Sequence, residues 1–513
     1  MNKALKFLDN EKVITLAFWI IFLFVGLFVF RDYGMGFDDS VQRDYGLTVY
    51  NYVFHADNSL LSYQNKDYGP VYEVFLVIIE KLLGLTSSQS IYAMRHLVIF
   101  LTFYTSTYFF YLLCRKYFKN WKISLLAVLI LILSPRIFAD AFYNSKDSVF
   151  LSFFIISVYS MFRFLDDKSV FNLGLHAITS ALLVDIRVLG LIIPAITIIF
   201  LLSDCFNLSN KKLFITKHEL SKPVFYFTLT SILIILFWPT LWSSPFYIFE
   251  ALNAFSRFRH DFNEIYLGKV ITPATMPWHY VLVWIFITTP IIYTALFCFG
   301  VVYLILLLLN KKFGRMDASV SLWFFLPLFL VILFKSPLYD SWRHLFFTYP
   351  AFVIIAVKGF VFLINRGKLV KYLAMTALAA SLVYTLLFMV RFHPYEMVYF
   401  NKIIRDFVNI RNTFEMDYWG VSYKQAIEYV LENDNRQNIS IAYLGMDPSM
   451  NLLLFNDSEK SRFTFNAVDR NISFYNSSDY FMTNYKWWRY DFGCNKVFSV
   501  DIEGTEILLV CKN

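Results

Sequence analysis

Long apolar segments recur along the first 390 residues of this chain, and they constrain its fold more than any other feature. A helix of about 20 apolar residues crosses the hydrocarbon core of a bilayer, and these segments approach or reach that length. The whole chain is 58% hydrophobic and 16% charged, whereas soluble domains are about half apolar and a quarter charged. The sequence therefore predicts a mainly α-helical bundle that crosses the membrane many times.

We place about eleven transmembrane helices on these segments. The expected spans are residues 13–30, 91–113, 123–134, 149–165, 171–184, 188–202, 224–241, 280–309, 320–334, 345–364 and 369–390. Pro290 should kink the long eighth span without ending it, because proline removes one helix hydrogen bond. An odd number of spans places the two termini on opposite sides of the membrane.

The basic residues indicate how these spans are oriented. Under this topology the lysines and arginines of the short loops fall on one face, and such loops mark the cytoplasmic side. We therefore expect a multi-pass protein of the cytoplasmic (inner) membrane with its N-terminus in the cytoplasm and its C-terminus outside. The net charge of +8 then reflects orientation and does not indicate a nucleic-acid partner. Residues 13–30 are interpreted as a retained span, not as a cleaved signal peptide.

The division into domains follows from the same pattern. Residues 1–390 are expected to form the transmembrane domain, with outer loops at 31–90, 135–148 and 242–279, and residues 391–513 form an extracytoplasmic segment. Within the first loop, residues 71–85 have an apolar face interrupted by charges, which suits a helix lying at the membrane interface.

Beyond about residue 422 the apolar runs shorten and turn signals appear, which predicts a small α/β domain. Its expected elements are a helix at 422–433 and strands at 438–445, 462–468, 496–502 and 505–511, the last two joined as a hairpin at Glu503 and Gly504. Cys494 and Cys511 lie near opposite ends of that hairpin. A disulfide and two unpaired thiols are both open, and the expected compartment is oxidising enough for the bond.

An acidic pair, Asp38 and Asp39, follows a glycine-containing turn just after the first span. At that depth, partial desolvation and a neighbouring like charge raise the pKa of a carboxylate towards that of a useful base. A solvated acidic loop and a helix N-cap are the alternative interpretations.

The second outer loop, SPRIFADAFYNSKDSVF, faces the same side of the membrane. Its polar side chains are Arg136, Asp140, Asn144, Lys146 and Asp147. A functional role competes here with simpler ones, because an aspartate at this place could cap the next helix and the lysine could reach out towards the lipid interface.

Two further charged groups lie within or beside apolar runs. Asp185 and Arg187 lie between the fifth and sixth spans. Ionisable groups at such a place are either paired with one another or functional. Arg343 lies at the outer end of a span, between Asp340 and His344. An arginine there suits a phosphate, because its planar guanidinium donates two parallel hydrogen bonds, although it could also be a juxtamembrane anchor.

The loop at 242–279 adds a last group of charged and aromatic residues. They are Arg257, Arg259, His260, Asp261, Glu264, Trp278 and His279. Histidine beside carboxylates could bind a divalent metal, but the spacing is nonspecific. We assign no metal ligands, and a divalent cofactor stays open.

Six short motifs carry a resemblance to a known family. They are FDDSVQ, FYNSKDSVF, DIRVLGLIIP, TTP at residues 288–290, FHPYEMVYFN and DYWGVSY. In these motifs the chain resembles the GT-C glycosyltransferases, and most closely the dolichyl-phosphate-mannose protein mannosyltransferase-like branch (glycosyltransferase family 39-like) with its aminoarabinose transferase relatives. Asp39 stands where that branch commonly has glutamate.

The resemblance implies transfer of a sugar from a polyprenyl-phosphate donor to a lipid, glycan or protein acceptor at the outer face, with inversion at the anomeric carbon. The implied base is Asp38, with Asp39 as an alternative or orienting group and Asp147 as a further catalytic candidate. The leaving phosphate needs cations as its charge develops. The candidates, in order, are Arg343, Arg187, Lys146 and Arg136.

A transporter or flippase of lipid-linked saccharides is the main alternative, because intramembrane charges also serve substrate passage. The inverted repeats of many transporters are not apparent in this sequence. Large loops and a folded domain on one side fit surface chemistry better. A noncatalytic partner in envelope polysaccharide assembly is the third interpretation.

Overall fold

The computed structural model describes residues 10–64, 66–205, 217–256, 263–468, 478–487, 489 and 491–513. Helices make up most of its membrane domain. In chain order they are α1 (Glu11–Val29), α2 (Asp39–His55), α3 (Val71–Leu82), α4 (Ser88–Phe118), α5 (Trp121–Ile132), α6 (Pro135–Tyr143), α7 (Asp147–Asp166), α8 (Val170–Ile186), α9 (Ile192–Cys205), α10 (Lys217–Phe237), α11 (Thr240–Ser243), α12 (Tyr247–Ser256), α13 (Tyr280–Thr288), α14 (Ile291–Leu309), α15 (Arg315–Leu333), α16 (Tyr349–Ile364) and α17 (Lys368–Arg391).

Seven helices of the described chain are long and apolar enough to cross a membrane, and the bent pair α5 and α6 would make an eighth span. The predicted polytopic bundle is therefore confirmed. Residues 170–186, 188–204 and 221–237 form shorter apolar helices, so the count of eleven stays a prediction. The expected eighth span is broken into α13 and α14, because Pro290 takes an extended backbone conformation with ψ 134° between them.

Two glycines allow the backbones of α14 and α16 to approach each other closely. A Cβ on Gly300 of α14 would lie 1.9 Å from the Ile355 carbonyl oxygen of α16, and one on Gly359 would lie 2.0 Å from that of Leu296. The two backbones approach closely because neither residue has a side chain, as is common where helices pack in membranes. Together with α5 and α7 this pair surrounds one continuous apolar core.

The helix α3 docks against its neighbours through its charged side chains. Glu73 is buried and forms an ion pair with Arg95 of α4, and Glu80 pairs with Arg43 of α2 at 2.7 Å. Its opposite face exposes Phe75 and Leu82. A helix is thus confirmed where the sequence predicted one, and its place at the membrane interface stays a prediction.

The C-terminal segment forms the expected small α/β domain. Its helices are α18 (Lys402–Phe407), α19 (Ile410–Thr413), α20 (Tyr423–Asn433) and α21 (Asp457–Lys460), and its strands are β3 (Ile439–Leu444), β4 (Phe463–Ala467), β5 (Tyr480–Thr483), β6 (Lys496–Ile502) and β7 (Thr505–Lys512). The sheet order is β4-β3-β5-β7-β6. β3 is parallel to β4 and β5, whereas β7 is antiparallel to β5 and β6.

All the predicted elements of this domain are present, and the structure adds β5. Glu503 and Gly504 both have positive φ, at 51° and 85°, as a tight hairpin turn requires. Cys494 and Cys511 are disulfide-bonded with Cα atoms 5.9 Å apart, which decides between the two alternatives left by the sequence. The 242–279 loop adds an unpredicted hairpin of β1 (Glu264–Tyr266) and β2 (Lys269–Ile271).

Candidate active site

A cavity of about 420 Å³ lies where the outer ends of several helices meet the first two outer loops. Its polar wall is formed by the first loop, the turn before α7, the end of α8 and the start of the 343–364 span. Its apolar wall comes largely from α15 and the chain that follows it. The lining includes Asp38, Lys146, Arg187, Leu330, Phe334 and Arg343.

The two acids of the first loop have different environments. Asp38 is partly exposed and lines the cavity, and in the part of the chain that the structure describes its carboxylate caps no helix N–H. The Asp39 carboxylate is buried and accepts a hydrogen bond from the Gly36 N–H at 2.8 Å. Asp38 occupies the N-cap position of α2, as one of the two alternatives expected, while its side chain lines the cavity.

Burial raises the pKa of Asp39 well above its ordinary value, and the hydrogen bond from Gly36 only partly opposes this. By accepting the Gly36 N–H, the Asp39 carboxylate holds the turn that presents Asp38. A second, much smaller cleft borders both aspartates, with Asn144, Lys146 and Trp419 on its other side. Asp38 and Lys146 face both spaces.

Asp147 lies at the start of α7 and bridges two of the predicted phosphate-binding arginines. Its Oδ1 pairs with Arg187, and its Oδ2 lies 3.0 Å from Arg343 Nη1. Asn144 donates to the same Oδ2 at 3.0 Å, and its own Oδ1 accepts from the Asp147 N–H at 2.7 Å. Asn144 therefore caps the first N–H of α7. The two Asp147 oxygens pair with the arginines, and Oδ2 also accepts the Asn144 hydrogen bond.

The guanidinium of Arg343 is enclosed by aromatic rings. Its Cζ lies 4.7 Å from the centre of the Tyr339 ring and 4.5 Å from that of Trp419, positions at which a ring face attracts a cation. Within the described residues, the Nε atoms of Arg343 and Arg187 have no hydrogen-bond acceptor. Each guanidinium thus keeps one buried N–H without an acceptor among the described residues.

Lys146 extends into the cavity from the turn before α7. Its Nζ lies 4.1 Å from the centre of the Tyr68 ring, so the side chain does not reach out towards the lipid interface. Burial lowers the pKa of Lys146, and Asp38 opposes that effect. A bound anion would stabilise its charged form.

Two sequence interpretations are corrected by the geometry. Asp185 does not pair with Arg187, because its Oδ1 accepts the Val71 N–H at 2.7 Å and so starts α3. Arg136 lines neither space around Asp38. Its guanidinium is buried over the Phe400 ring and donates to the Tyr399 carbonyl at 3.2 Å. Arg136 is therefore separated from the other three cations.

The residues considered for a metal either form hydrogen bonds with other groups or lie outside the described part of the chain. Arg257, Arg259, His260 and Asp261 are among the latter. Glu264 accepts hydrogen bonds from the Asp340 backbone and from the Tyr280 hydroxyl, and burial raises its pKa to about 8. Across the described residues, no three His, Cys, Asp or Glu side chains converge on one point.

Sequence reasoning missed the aromatic part of the site. Tyr68, Tyr339 and Trp419 surround the cations. The chain is 20% aromatic, so three more rings near a membrane surface give no distinct signal. Tyr339 stands four residues before Arg343, and Trp419 belongs to the DYWGVSY motif, so the sequence offers a hint for these two rings.

No protein-family model and no curated protein matches this sequence. Solved structures do match. The crystal structure of ArnT from Cupriavidus metallidurans bound to undecaprenyl phosphate aligns with a TM-score of 0.51 and 9% identity, over 97% of both chains. The apo structure of the same protein gives 0.51 and 10%, with the same coverage. The chain has the fold of ArnT.

ArnT is an aminoarabinose transferase of the GT-C type, so the comparison confirms the expected fold class. The alignment with ArnT extends over the C-terminal domain as well as the bundle, because it covers 97% of each chain. At 9% identity the ArnT likeness is one of fold. The chemistry must therefore be argued from the residues around the cavity.

Proposed function

We propose that this protein is a membrane glycosyltransferase that moves a sugar from a polyprenyl-phosphate donor to an acceptor at the outer face of the cytoplasmic membrane. The observation that carries the proposal is the content of one cavity. A carboxylate, Asp38, shares it with three cations, Lys146, Arg187 and Arg343, and with the apolar wall from α15. These are the groups that a base, a phosphate and a polyprenyl chain require.

The reaction is a direct displacement. Asp38 takes the proton of the acceptor hydroxyl as its oxygen attacks the anomeric carbon. The bond from that carbon to the phosphate oxygen breaks, and the polyprenyl phosphate leaves with the electron pair. Attack from the side opposite the leaving group inverts the anomeric configuration. Asp38 suits the role of base because it lines the cavity and carries no structural hydrogen bond among the described residues.

The cations stabilise the negative charge that develops on the leaving phosphate. Arg343 and Arg187 contribute their positive charges from the cavity wall, and Lys146 adds a third charge between the donor cavity and the smaller cleft. Asp147 is a positioning residue in this scheme, because both of its oxygens hold the two guanidiniums. Arg136 has no part in it.

Two further observations support the proposal. The ArnT of the matching structure is bound to undecaprenyl phosphate, a polyprenyl phosphate of the kind that the donor would release. The site lies where α2, the turn before α7 and the 343–364 span begin, on the side that the basic loops make extracytoplasmic. On this view the N-terminus is cytoplasmic and the C-terminal domain lies outside.

A comparison of cell envelopes tests the proposal. Mass spectrometry of lipids and glycans is compared for cells with the wild-type gene, without it, and with Asp38→Asn or Asp44→Asn. Asp44 is the matched control because it is an exposed acid on the same helix α2. We expect one sugar modification to disappear without the gene and with Asp38→Asn, while polyprenyl-phosphate sugar accumulates.

The Asp44→Asn cells should retain the modification. The proposal fails if deletion of the gene changes no envelope lipid or glycan, or if Asp38→Asn restores the modification fully. Movement of a lipid-linked saccharide across proteoliposomes by the Asp38→Asn protein, without covalent transfer, would favour the flippase instead.

A further inference from the structure

The loop that presents Arg343 is held in an unusual backbone conformation. Residues 336–339 and 343–345 line the cavity, and between them Asp340 and Ser341 have φ values of 54° and 70°. Residues with a Cβ rarely adopt this left-handed region. Two such residues in succession persist only where surrounding contacts fix them.

Three contacts fix Asp340. Its backbone N–H donates to Glu264, its Oδ1 lies 2.5 Å from Lys486 Nζ, and its Oδ2 lies 3.4 Å from Arg343 Nη2. Asp340 thus stands between a lysine of the C-terminal domain and an arginine of the donor cavity. Its contact with the lysine is the closer one.

Lys486 is buried, with 5% of its side chain exposed. It follows β5, between two residues with positive φ, Tyr485 and Trp487, so the chain bends sharply to place it. Glu415 is a second acidic neighbour, at 3.9 Å, but it is already paired with Arg489 at 2.9 Å, and Glu264 acts on Lys486 more weakly than either Asp340 or Glu415. The main electrostatic partner of Lys486 is therefore Asp340.

We propose that Lys486 is a positioning residue for the donor phosphate: by neutralising Asp340, it leaves the guanidinium of Arg343 available to the phosphate. The inference rests on the proposed function, because it needs a phosphate in the cavity. Without Lys486 the full charge of Asp340 acts on Arg343 through a medium of low polarity, where charges interact strongly. Arg343 then pairs with Asp340 instead of with the phosphate.

Binding of undecaprenyl phosphate to the purified full-length protein in detergent tests this arrangement without requiring turnover. We expect Lys486→Met to raise the Kd by about tenfold or more. Lys486→Arg should stay close to wild type because it keeps the charge. The matched control is Lys496→Met, which removes a lysine of β6 in the same domain whose acidic partner is Glu506, at 2.9 Å, and not Asp340.

A second substitution separates the electrostatic role from a structural one. If Lys486 acts by neutralising Asp340, then the double variant Lys486→Met with Asp340→Asn should recover affinity to within about twofold of wild type, because coupled residues are non-additive. A packing role of Lys486 that does not depend on the charge of Asp340 would not be rescued by the second change. With a sugar donor, Lys486→Met should raise KM more than it lowers kcat.

The inference is overturned if Lys486→Met binds undecaprenyl phosphate as wild type does, or if the double variant is as weak as the single one. If Lys486→Met does not fold, the single variant Asp340→Asn decides. It should bind undecaprenyl phosphate at least as tightly as wild type, and weaker binding would contradict the inference. A wild-type protein that does not bind undecaprenyl phosphate would instead refute the proposed donor.

Discussion

Arg343 Nη1 lies 3.0 Å from Asp147 Oδ2, and both side chains are buried. The carboxylate belongs to the first turn of α7, where the helix dipole favours a negative charge. Asp147 thus stands at the start of α7 and holds Arg343, which lines the cavity. This relationship joins the stability of the bundle to the proposed chemistry.

Replacing Asp147 should therefore affect both stability and donor binding. Asp147→Asn leaves Arg187 and Arg343 without their shared counterion, and breaking a buried ion pair costs roughly 3 to 5 kcal/mol. We expect a lower thermal midpoint in detergent and weaker binding of undecaprenyl phosphate. The control is Asp166→Asn at the other end of α7, an acid that is 63% exposed. An unchanged midpoint for Asp147→Asn would contradict the bridging role.

The two acids of the first loop should respond differently to substitution. Asp38→Asn should reduce kcat by about a thousandfold or more, because it removes the base, and should leave the thermal midpoint unchanged. Asp39→Asn should fold normally, since an amide oxygen still accepts the Gly36 N–H, whereas Asp39→Leu should lose stability.

Turnover by the purified variants with a polyprenyl-phosphate sugar, read beside their melting curves, distinguishes these outcomes. If Asp39→Asn were inactive and Asp38→Asn active, the two roles would have to be exchanged. The burial of Asp39 supports the present assignment, because its carboxylate already accepts the Gly36 N–H, whereas Asp38 lines the cavity.

Gly69 should be intolerant of a side chain. A Cβ at this position would lie 1.8 Å from the Asp185 carbonyl oxygen, so Gly69→Ala must push the cavity wall away from α8. Overpacking of this kind costs about 1 to 3 kcal/mol. Gly174→Ala in α8 is the control, because nothing lies within 4 Å of the new Cβ. Equal melting points for the two variants would show that the loop does not pack as described.

Stability should depend on pH through His393. Its Nδ1 lies 2.8 Å from Glu396 and its Nε2 lies 2.9 Å from Asp32. Burial lowers the pKa of His393, but these hydrogen bonds outweigh burial and raise it above the ordinary value. A raised pKa in the folded state stabilises the protein below the unfolded-state pKa, and this stabilisation is lost as the pH rises through the folded-state pKa.

The thermal midpoint should therefore fall as the pH rises from about 6.5, the ordinary pKa of histidine, through the raised folded-state pKa, and His393→Gln should flatten that dependence. Melting curves recorded in parallel for the two proteins measure the difference. His279→Gln is the control, because His279 contacts the Tyr266 hydroxyl at 2.7 Å and forms no ion pair with an acid among the described residues. Curves that stay parallel for wild type and His393→Gln would exclude this contribution.

The fold could be predicted wherever local patterns were sufficient. Apolar runs gave the spanning helices, and alternation with a glycine turn gave the β6–β7 hairpin. β5 was missed because all four of its residues are buried, so it shows no alternation. The β1–β2 hairpin was missed because its strands have three residues each.

The candidate site was predicted in part for the same reason. Asp38, Lys146, Arg187 and Arg343 are ionisable groups at membrane-surface depth, and the cost of burying a charge makes such groups conspicuous in a sequence. Asp185 and Arg187 looked like partners because they are two residues apart. Arg187 ends α8 in an extended conformation with φ −150°, so its side chain points away from that of Asp185.

The sequence by itself determined that this chain is a membrane bundle with a small folded C-terminal domain and an acidic pair after the first span, because hydrophobicity and turn chemistry act over short stretches. Only the tertiary structure decided that Asp38 faces the cavity while Asp39 is buried, and that Lys486, 146 residues after Asp340, contacts it. Such pairs depend on how distant segments pack against one another. Their electrostatic effect comes from burial, which no local stretch of sequence encodes.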